Sequence, residues 1–408
     1  MQQRLTSLDA FRGLTIAAMI LVNNPGDWGH IYGPLEHADW HGWTPTDLVF
    51  PFFLFIVGVS MVLAFGRQRR AGAAPGMLTL RAVRRGVVLF ALGLFIAGFR
   101  HHPLWEQGVA IALLFGSWFV AGHLRPASRE LVLIAAWIAY AAFELHAPEV
   151  RVPGVLQRIG ICFVLATLLY VWLPRRLLPW VVAVLLLGYW ALMAWVPVPG
   201  HGAGLIDDKA NNLASYLDRM LLDGHIWIRG VRDPEGPLHT LTALCTTLFG
   251  VFAGEVLCGD DPPEQRTLRL FLRGSGLVVL GYLWSWSFPI NKALWTSSYA
   301  VFTAGLATCA LAISYWLVDV RGHRRVVAPF VTYGVNAITV FVGSAALSRT
   351  LASIHVREDL TLPKWLYQTL VGTGLSPHAA SLVYALLWVS GWYLVLRLMQ
   401  ARGWIVKI

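Results

Sequence analysis

Residues 177–196 read LLPWVVAVLLLGYWALMAWV, a run of twenty residues without a charged side chain. At 1.5 Å per residue, a helix of about this length spans the roughly 30 Å hydrocarbon core of a bilayer. One such run would fit a helix buried in a soluble protein, but comparable apolar runs recur along the whole sequence. Because backbone polar groups inside a bilayer must pair within the protein, these runs predict membrane-spanning α-helices.

The composition supports the same class of protein. Hydrophobic residues make up 57% of the 408 residues, charged ones only 13%, and the mean hydropathy is +0.60, whereas a soluble domain carries roughly a quarter charged residues. We therefore predict an all-α integral membrane protein, a polytopic bundle of about 11–12 transmembrane helices that forms a single domain over residues 1–408. The predicted spans are Leu8–Asn24, Asp47–Phe65, Val83–Phe99, Trp105–His123, Glu130–Leu145, Val155–Leu173, Leu177–Val196, Leu238–Leu257, Phe271–Phe288, Ser298–Val318, Val327–Leu347 and Ala379–Met399. The stretch Trp105–Leu145 fits either two helices or a re-entrant hairpin.

The basic residues predict the orientation of these helices. The formal net charge is +10, and arginines collect in short loops such as 67–85, 175–176 and 321–325. This distribution follows the positive-inside rule and lacks the aromatic-studded basic face of a nucleic-acid-binding protein. We therefore predict cytoplasmic N- and C-termini, a lipid bilayer as the surroundings, and no nucleic-acid partner.

Two segments between predicted spans are not hydrophobic, residues 23–47 and residues 197–237. The first carries His30, His37 and His41 among four carboxylates and three tryptophans. Histidine accepts and returns a proton near neutral pH, and a neighbouring carboxylate fixes its tautomer. The alternative is anchoring at the membrane boundary, which we favour for the tryptophans and leave open for the histidines.

We predict no metal site in the first of these segments. His37 and His41 are four residues apart, but Gly33-Pro34 and Gly42 interrupt a regular helix, and no third ligand is evident. The four cysteines of the chain lack paired or metal-type spacing. We expect them to be small core residues.

Polar residues inside predicted spans are costly and are usually paired or functional. Asp9 and Arg12 lie three residues apart in the first span, so they are expected to pair or to reach the interface. Arg158, Glu255 and Asn336 are expected to line a polar passage, with structural pairing as the alternative.

The loop between the second and third spans is rich in arginine. Arg67, Arg70, Arg84 and Arg85 flank the small-residue stretch Ala71–Met77. Guanidinium groups suit phosphate oxygens, so this loop is a candidate anion site. The alternative is ordinary topology-determining charge, which the residues alone favour.

Several stretches of the sequence resemble one family, the heparan-α-glucosaminide N-acetyltransferases and their bacterial relatives. They are spread over nearly the whole chain in the family's order. The stretches are SLDAFRGLTIAAMILVNN (7–24), HADWHGWTPTDLVFPFFLFIVG (37–58), VPGVLQRIG (152–160), DPEG (233–236), PINKALWTSSY (289–299), GVNAI (334–338) and GWIVKI (403–408).

The resemblance implies a transmembrane acyltransferase that takes acetyl from cytoplasmic acetyl-CoA and delivers it to the amino group of a glucosamine on the far side. It implies His37 as the essential histidine and Asn23 as an oxyanion donor, with Asp47 or Asp39 orienting the imidazole. The four loop arginines would then hold the phosphates of CoA. The residues that we assign to the acceptor sugar are Asp39, Trp40, Asp233, Glu235, Asn291 and Lys292.

The sequence leaves several alternatives open. His37 acts either as a nucleophile that forms an acetyl-imidazole or as a general base. A membrane transporter of a sugar or small anion is the alternative function, although no inverted repeat is visible, and a non-catalytic scaffold is the third. The resemblance is compatible with a homodimer, and in a bacterium the location would be the cytoplasmic (inner) membrane.

Overall fold

The structure, a computed structural model, describes residues 5–99, 102–147 and 149–406, without the side chains of Arg69, Arg70, Leu104 and Phe115. Helices dominate these residues, and β1 (His355–Arg357) pairs antiparallel with β2 (Leu360–Thr361). In the described part of the chain the α-helices are α1 (Thr6–Asn23), α2 (Val49–Arg70), α3 (Pro75–Gly98), α4 (Leu104–Ala121), α5 (Pro126–His146), α6 (Val155–Trp172), α7 (Leu178–Trp195), α8 (Leu213–Leu222), α9 (Thr240–Cys258), α10 (Pro263–Trp284), α11 (Ser297–Tyr315), α12 (Ala328–Val335), α13 (Ala337–Ser353), α14 (Leu362–Gly372) and α15 (Pro377–Ala401).

The prediction of an all-α polytopic membrane protein is confirmed. The predicted spans fall on helices, except that Val327–Leu347 is broken at Asn336 into α12 and α13. The stretch Trp105–Leu145 forms two helices, α4 and α5, which pack together. Among the described residues, six helices are long and apolar enough to cross a membrane, or up to seven if α12 and α13, bent by 78°, count as one span. The predicted 11–12 crossings exceed this number, because charged residues such as Arg84 in α3 interrupt several apolar windows.

The chain divides into two compact units. Within the described residues, unit 1 comprises 5–53, 260–275 and 306–406. Its helix α1 packs against α12, α13 and α15. The core between these helices contains Ile16, Ile20, Tyr333, Val340 and Leu396, all with at most 3% of their surface exposed. The apolar face of α1 is therefore buried inside unit 1.

Unit 2 comprises, within the described residues, 54–259 and 276–305. Helix α3 packs against α5 and α6, while α6 and α7 both pack against α9. The non-hydrophobic segment between α7 and α9 folds into turns around the short helix α8. Asn212 caps α8 by accepting a hydrogen bond from the Ser215 N–H at 2.9 Å, so this segment is ordered by its own polar side chains.

Glycine allows a close approach between α1 and α12 in unit 1. A Cβ atom on Gly13 would lie 1.6 Å from the Phe330 carbonyl oxygen, and one on Gly334 would lie 2.0 Å from the Asp9 carbonyl oxygen. Small residues at helix contacts let backbones pack directly, which is the usual way in which membrane helices associate. Both positions therefore require glycine for packing.

We expect Gly13→Ala to destabilise the protein by about 1–3 kcal/mol or more, because the added methyl group clashes with backbone that cannot rotate away. The thermal unfolding midpoint of the detergent-solubilised protein measures this loss. Gly391→Ala is the matched control, since a Cβ atom at this helical position of α15 would meet nothing within 4 Å. Equal midpoints for the two variants would contradict the packing argument.

Asn336 binds the C-terminal segment, and its assignment to a polar passage stays a prediction. It separates α12 from α13 and is 1% exposed. Its Nδ2 donates to the Trp404 carbonyl oxygen at 3.2 Å, and its Oδ1 accepts the Val406 N–H at 3.0 Å. The amide is therefore used to hold residues 404–406 against the helix break.

Two smaller predictions are confirmed. Arg12 Nη1 lies 3.3 Å from Asp9 Oδ1, so the charged residues of the first span pair with each other. Cys162 and Cys245 are fully buried and are not in disulfides. These two are therefore small core residues, as their apolar surroundings in the sequence predict, whereas Cys258 and Cys309 are only partly buried.

Candidate functional site

The first non-hydrophobic segment ends in a turn that starts helix α2 in unit 1. Residues Pro45–Leu48 form a short 3₁₀ helix, with proline at a position that suits its fixed φ. Thr44 and Asp47 close this turn reciprocally, because the Thr44 N–H donates to Asp47 Oδ2 at 3.0 Å while the Thr44 side chain accepts from the Asp47 backbone. Asp47 is therefore held by local sequence at the entrance to α2.

Asp47 is the fixed member of a His–Asp pair. Its Oδ1 lies 2.7 Å from His37 Nδ1, and its Oδ2 also accepts the Ala38 N–H at 3.0 Å. The side chain of Asp47 is 1% exposed and that of His37 is 52% exposed. Since an ionised carboxylate only accepts hydrogen bonds, the proton lies on Nδ1, and a neutral His37 presents its lone pair on Nε2. This tautomer suits a general base or a nucleophile.

The same loop contains a second histidine–carboxylate pair. His30 Nδ1 lies 2.5 Å from Asp27 Oδ2, and both side chains are partly exposed. The imidazole of His30 also meets the ring of His378 edge-on, with 5.3 Å between ring centroids. Because both pairs lie in one loop, the Asp27–His30 pair offers a matched comparison for the Asp47–His37 pair.

The other predicted residues of unit 1 differ in exposure. Asn23 is the last residue of α1 and is exposed, as is Asp39, so both are accessible to a ligand. Trp40 is only 8% exposed. Its ring therefore packs inside the protein, and its assignment to the acceptor sugar stays a prediction.

Unit 2 holds a second concentration of charge, at the beginning of α6 and in the loop before α9. Arg151 donates from Nε and Nη2 to the two oxygens of Asp233, at 2.8 and 2.7 Å, and also contacts Glu235. Asp233 further accepts the backbone N–H groups of Trp227 and Glu235. These bonds make Asp233 a structural centre of the loop, and its assignment to the acceptor stays a prediction.

Glu235 keeps its charge although it lies in this crowded loop. Burial alone would raise its pKa, but the positive charges of Arg151, Arg158 and Lys292 outweigh that effect and hold the pKa of Glu235 below its ordinary value. A carboxylate that stays ionised can accept hydrogen bonds from an ammonium or a hydroxyl group. The assignments of Glu235 and Lys292 to the acceptor stay predictions.

Arg158, in the first turn of α6, is 1% exposed. Its Nη2 donates to the Gly236 carbonyl oxygen at 3.2 Å, and its guanidinium carbon lies 5.2 Å from the centroid of the Trp295 ring. The positive charge is thus placed inside unit 2, against an aromatic face and a carbonyl group. Its predicted role in lining a passage stays a prediction.

Two buried polar residues near Arg158 were not singled out from the sequence. Asp218 of α8 is fully buried, and its Oδ2 accepts the Asp233 N–H at 2.9 Å. His239, directly before α9, is 1% exposed. The sequence did hold one signal, since Asp218 follows Ala214 by four residues and therefore lies on the buried face of the amphipathic helix α8.

Asp218 predicts a pH-dependent stability. Its pKa is raised to about 7, mainly by burial and also by the charge of Asp233, while the hydrogen bond from the Asp233 N–H and the charges of Arg158 and Arg219 oppose the increase. The folded protein therefore retains a proton that the unfolded chain loses above about pH 4. The free energy of unfolding should fall by on the order of 2–4 kcal/mol as the pH rises from about 4 to 7.

Asp218→Asn should remove this part of the pH dependence. The stability of the variant relative to the parent should therefore be higher at pH 8 than at pH 5. Thermal unfolding at these two pH values measures the effect. Asp223→Asn, an exposed carboxylate next to the same helix, is the control. A parallel pH dependence in parent and Asp218→Asn protein would contradict the prediction.

Two further predicted residues have contacts within unit 2. Asn291 is fully buried, its Oδ1 accepts the Leu294 N–H at 2.8 Å, and it therefore shapes the turn before α11. Glu255 lies in the last turn of α9, with a side chain 38% exposed and 3.6 Å from Arg175 Nε. The assignments of Asn291 to the acceptor and of Glu255 to a passage stay predictions.

The arginine-rich loop is only partly available to an anion. Arg84 Nε donates to Glu130 Oε2 at 2.6 Å, and its assignment to the phosphates stays a prediction. Arg85 is exposed, with its guanidinium 5.0 Å from the centroid of the Phe163 ring, and Arg67 is exposed as well. The side chain of Arg70 lies outside the described residues. Arg67 and Arg85 are therefore the better candidates for binding phosphate.

Comparison with known proteins supports the resemblance seen in the sequence. The family described as heparan-alpha-glucosaminide N-acetyltransferase, catalytic, matches residues 4–203, which include the His37–Asp47 pair. The chain is similar to this family. The heparan-alpha-glucosaminide N-acetyltransferases of Mus musculus and Homo sapiens are 28% and 26% identical to it, over 93% of this chain and 59% of each relative. The chain thus spans about three fifths of the length of these relatives, and the resemblance seen in the sequence is confirmed.

The heparan-alpha-glucosaminide N-acetyltransferase family match covers only part of the two concentrations of polar residues. Residues 4–203 contain His37, Asp47 and Arg158, whereas Asp218 and His239 follow the matched range. Among the residues that the structure describes, no group of three or more histidine, cysteine or acidic residues is arranged to hold a metal ion. Catalysis without a metal stays a prediction.

Proposed function

We propose that this protein is a transmembrane acetyltransferase that moves an acetyl group from acetyl-CoA to the amino group of a glucosamine-type sugar. The His37–Asp47 pair carries the proposal, because a buried carboxylate orients a half-exposed imidazole for proton transfer or nucleophilic attack. The names of the relatives from Mus musculus and Homo sapiens support the same reaction.

The transfer exchanges one bond for another. The carbon–sulfur bond of the thioester breaks, a bond forms between the acetyl carbon and the sugar nitrogen, and the amine loses a proton while the thiolate gains one. As a general base, His37 Nε2 takes the proton from the amine. As a nucleophile, Nε2 first takes the acetyl group and then passes it to the amine. Asp47 stabilises the positive imidazole in both routes.

The donor is proposed to enter from the cytoplasmic side. CoA carries phosphates, and a charged group in the bilayer centre costs several kcal/mol, so its head group must stay outside the hydrocarbon core. Arg67 and Arg85 are the candidates for binding these phosphates, by charge-assisted hydrogen bonds. The acceptor is placed on the extracytoplasmic side, and the location is the cytoplasmic membrane if the protein is bacterial.

The test is CoA release from acetyl-CoA by the purified protein in detergent. Glucosamine should stimulate release, whereas N-acetylglucosamine, whose amine is blocked, and glucose, which has none, should not. Mass analysis of the sugar product should show one added acetyl group. Release that does not depend on a free amine would contradict N-acetyl transfer, and acetate as the product would indicate a thioesterase.

Transport of a sugar or small anion is the second candidate, supported by the broken pair α12 and α13. It predicts uptake of labelled sugar into liposomes that contain the protein, without consumption of acetyl-CoA. Acetyl-CoA consumption in the same liposomes, with acetylated sugar as the product, would favour the acetyltransferase.

A further inference from the structure

Among the side chains of unit 2 that carry buried polar atoms without a hydrogen-bond partner within the described residues, three are linked through one loop. Their atoms are Arg158 Nε and Nη1, Asp218 Oδ1 and His239 Nε2. All three side chains are at most 1% exposed. Because leaving a buried polar atom without a partner is costly, such atoms are uncommon in proteins, and a group of them requires an explanation.

The three side chains meet around Gly236. Arg158 Nη2 donates to the Gly236 carbonyl oxygen at 3.2 Å, and a Cβ atom at position 236 would lie 1.9 Å from Asp218 Oδ1. His239 follows three residues later, and the charge of Arg158 acts on both His239 and Asp218. The polar atoms without partners therefore belong to one buried group, here called the Gly236 cluster.

The backbone beside the Gly236 cluster is strained. Trp295, whose ring lies against the Arg158 guanidinium, has φ of +46°, a region that bulky residues rarely adopt. The conformation is held by hydrogen bonds from Trp295 Nε1 to Thr246 at 3.1 Å and from Thr242 to the Trp295 carbonyl oxygen at 2.6 Å. Strain of this kind is concentrated at ligand sites, where the surrounding structure maintains it.

The unpaired atoms include both donors and acceptors. Arg158 Nε and Nη1 can only donate. His239 Nδ1 lies 3.4 Å from the Pro234 carbonyl oxygen, so a proton on Nδ1 leaves Nε2 as an acceptor. Burial lowers the pKa of His239 to about 3, with the charge of Arg158 acting in the same direction, so the imidazole is neutral. A hydroxyl group both donates and accepts, and it satisfies this mixed set.

We propose that Arg158, Asp218 and His239 of the Gly236 cluster bind the hydroxyl groups of a sugar. An anion would satisfy Arg158 but would place negative charge against the lone pair of His239 Nε2 and against the Asp218 carboxyl group. A sugar hydroxyl accepts from Arg158 and donates to His239. Identifying this sugar with the acetyl acceptor rests on the proposed function.

Direct binding tests the cluster without any reaction. Isothermal titration of the full-length protein in detergent, without acetyl-CoA, compares glucose, glucosamine and glucuronic acid as ligands. We expect glucose and glucosamine to bind, and His239→Leu, which removes the acceptor atom, to weaken both by about tenfold or more. His239→Gln, which restores an acceptor, should recover most of the affinity. His201→Leu, an exposed histidine of the same segment, is the matched control.

Several outcomes would overturn the proposal. Equal sugar affinity in parent and His239→Leu protein, or no sugar binding by the folded parent, would make the Gly236 cluster a purely structural group. Binding of glucuronic acid alone would make it a carboxylate site. Unchanged CoA binding in the variants shows that they are folded. If sugar binding depends on His239 but the protein transfers no acetyl group, the Gly236 cluster is supported and the proposed function is rejected. If the protein transfers acetyl but His239→Leu leaves the sugar affinity unchanged, the proposed function is supported and the Gly236 cluster is rejected as a sugar site.

Discussion

Replacing His37 by alanine should lower the rate of acetyl transfer by about 10²–10⁴-fold while CoA still binds. The imidazole is the reacting group in both proposed routes, since its Nε2 either removes the proton of the amine or takes the acetyl group. His37 is half exposed at the end of its loop, so its removal leaves no buried cavity. The stability of the variant should therefore stay close to that of the parent, and the loss should appear in kcat.

His30→Ala provides the control for this experiment. His30 lies in the same loop and also contacts a carboxylate, so a general effect of losing a histidine here would appear in both variants. Equal loss of activity in the two variants would contradict the assignment of His37. Label from acetyl-CoA that stays on the parent protein without acceptor, and is absent from His37→Ala, would favour the acetyl-imidazole route.

Asp47→Asn should lower activity by a similar factor, about 10²–10⁴-fold, although it changes only one atom. The Oδ2 position must still accept the N–H groups of Ala38 and Thr44, so the amide oxygen of the variant occupies it. The amide nitrogen then faces His37 Nδ1 and donates to it. This moves the imidazole proton to Nε2, and the lone pair needed for the reaction is lost there.

The Asp47→Asn variant tests whether Asp47 fixes the tautomer of His37 or only maintains the packing of the loop. The variant should bind CoA and sugar with nearly the parent affinity, because the shape of the loop is retained. Asp27→Asn, which makes the same change in the Asp27–His30 pair, should keep most of the activity. Parent-like turnover by Asp47→Asn, measured as CoA release with glucosamine, would show that Asp47 does not orient the reacting histidine.

Local sequence predicted much of the fold and one of the two polar sites. Long apolar runs predict helices because a bilayer demands internal pairing of the backbone, and the predicted spans fall on helices, although Val327–Leu347 is broken into α12 and α13. Asp47 lies ten residues from His37, within one loop closed by the turn at Pro45–Leu48. A short loop with turn residues at fixed positions restricts its own geometry, so this pair was accessible from the sequence.

The second polar site depends on contacts between distant residues. Arg151 and Asp233 are 82 residues apart, and Arg158 and Gly236 are 78 apart. No periodicity in the sequence indicates that these groups meet. The same limit applies to Arg84, which contacts Glu130, and to Asn336, which contacts the segment 404–406, because both contacts form only after the helices pack.

The sequence by itself determined that the helices lie in a bilayer, where along the chain they form, and which loop carries His37. The length of an apolar run and the residues of a turn both act locally. Only the tertiary structure decided which polar side chains already have hydrogen-bond partners within the protein. Asp233 is occupied by Arg151, whereas Asp218 and His239 keep atoms without partners within the described residues. Burial and pairing are properties of the packed helices, and they distinguish a structural polar residue from one that is available to a ligand.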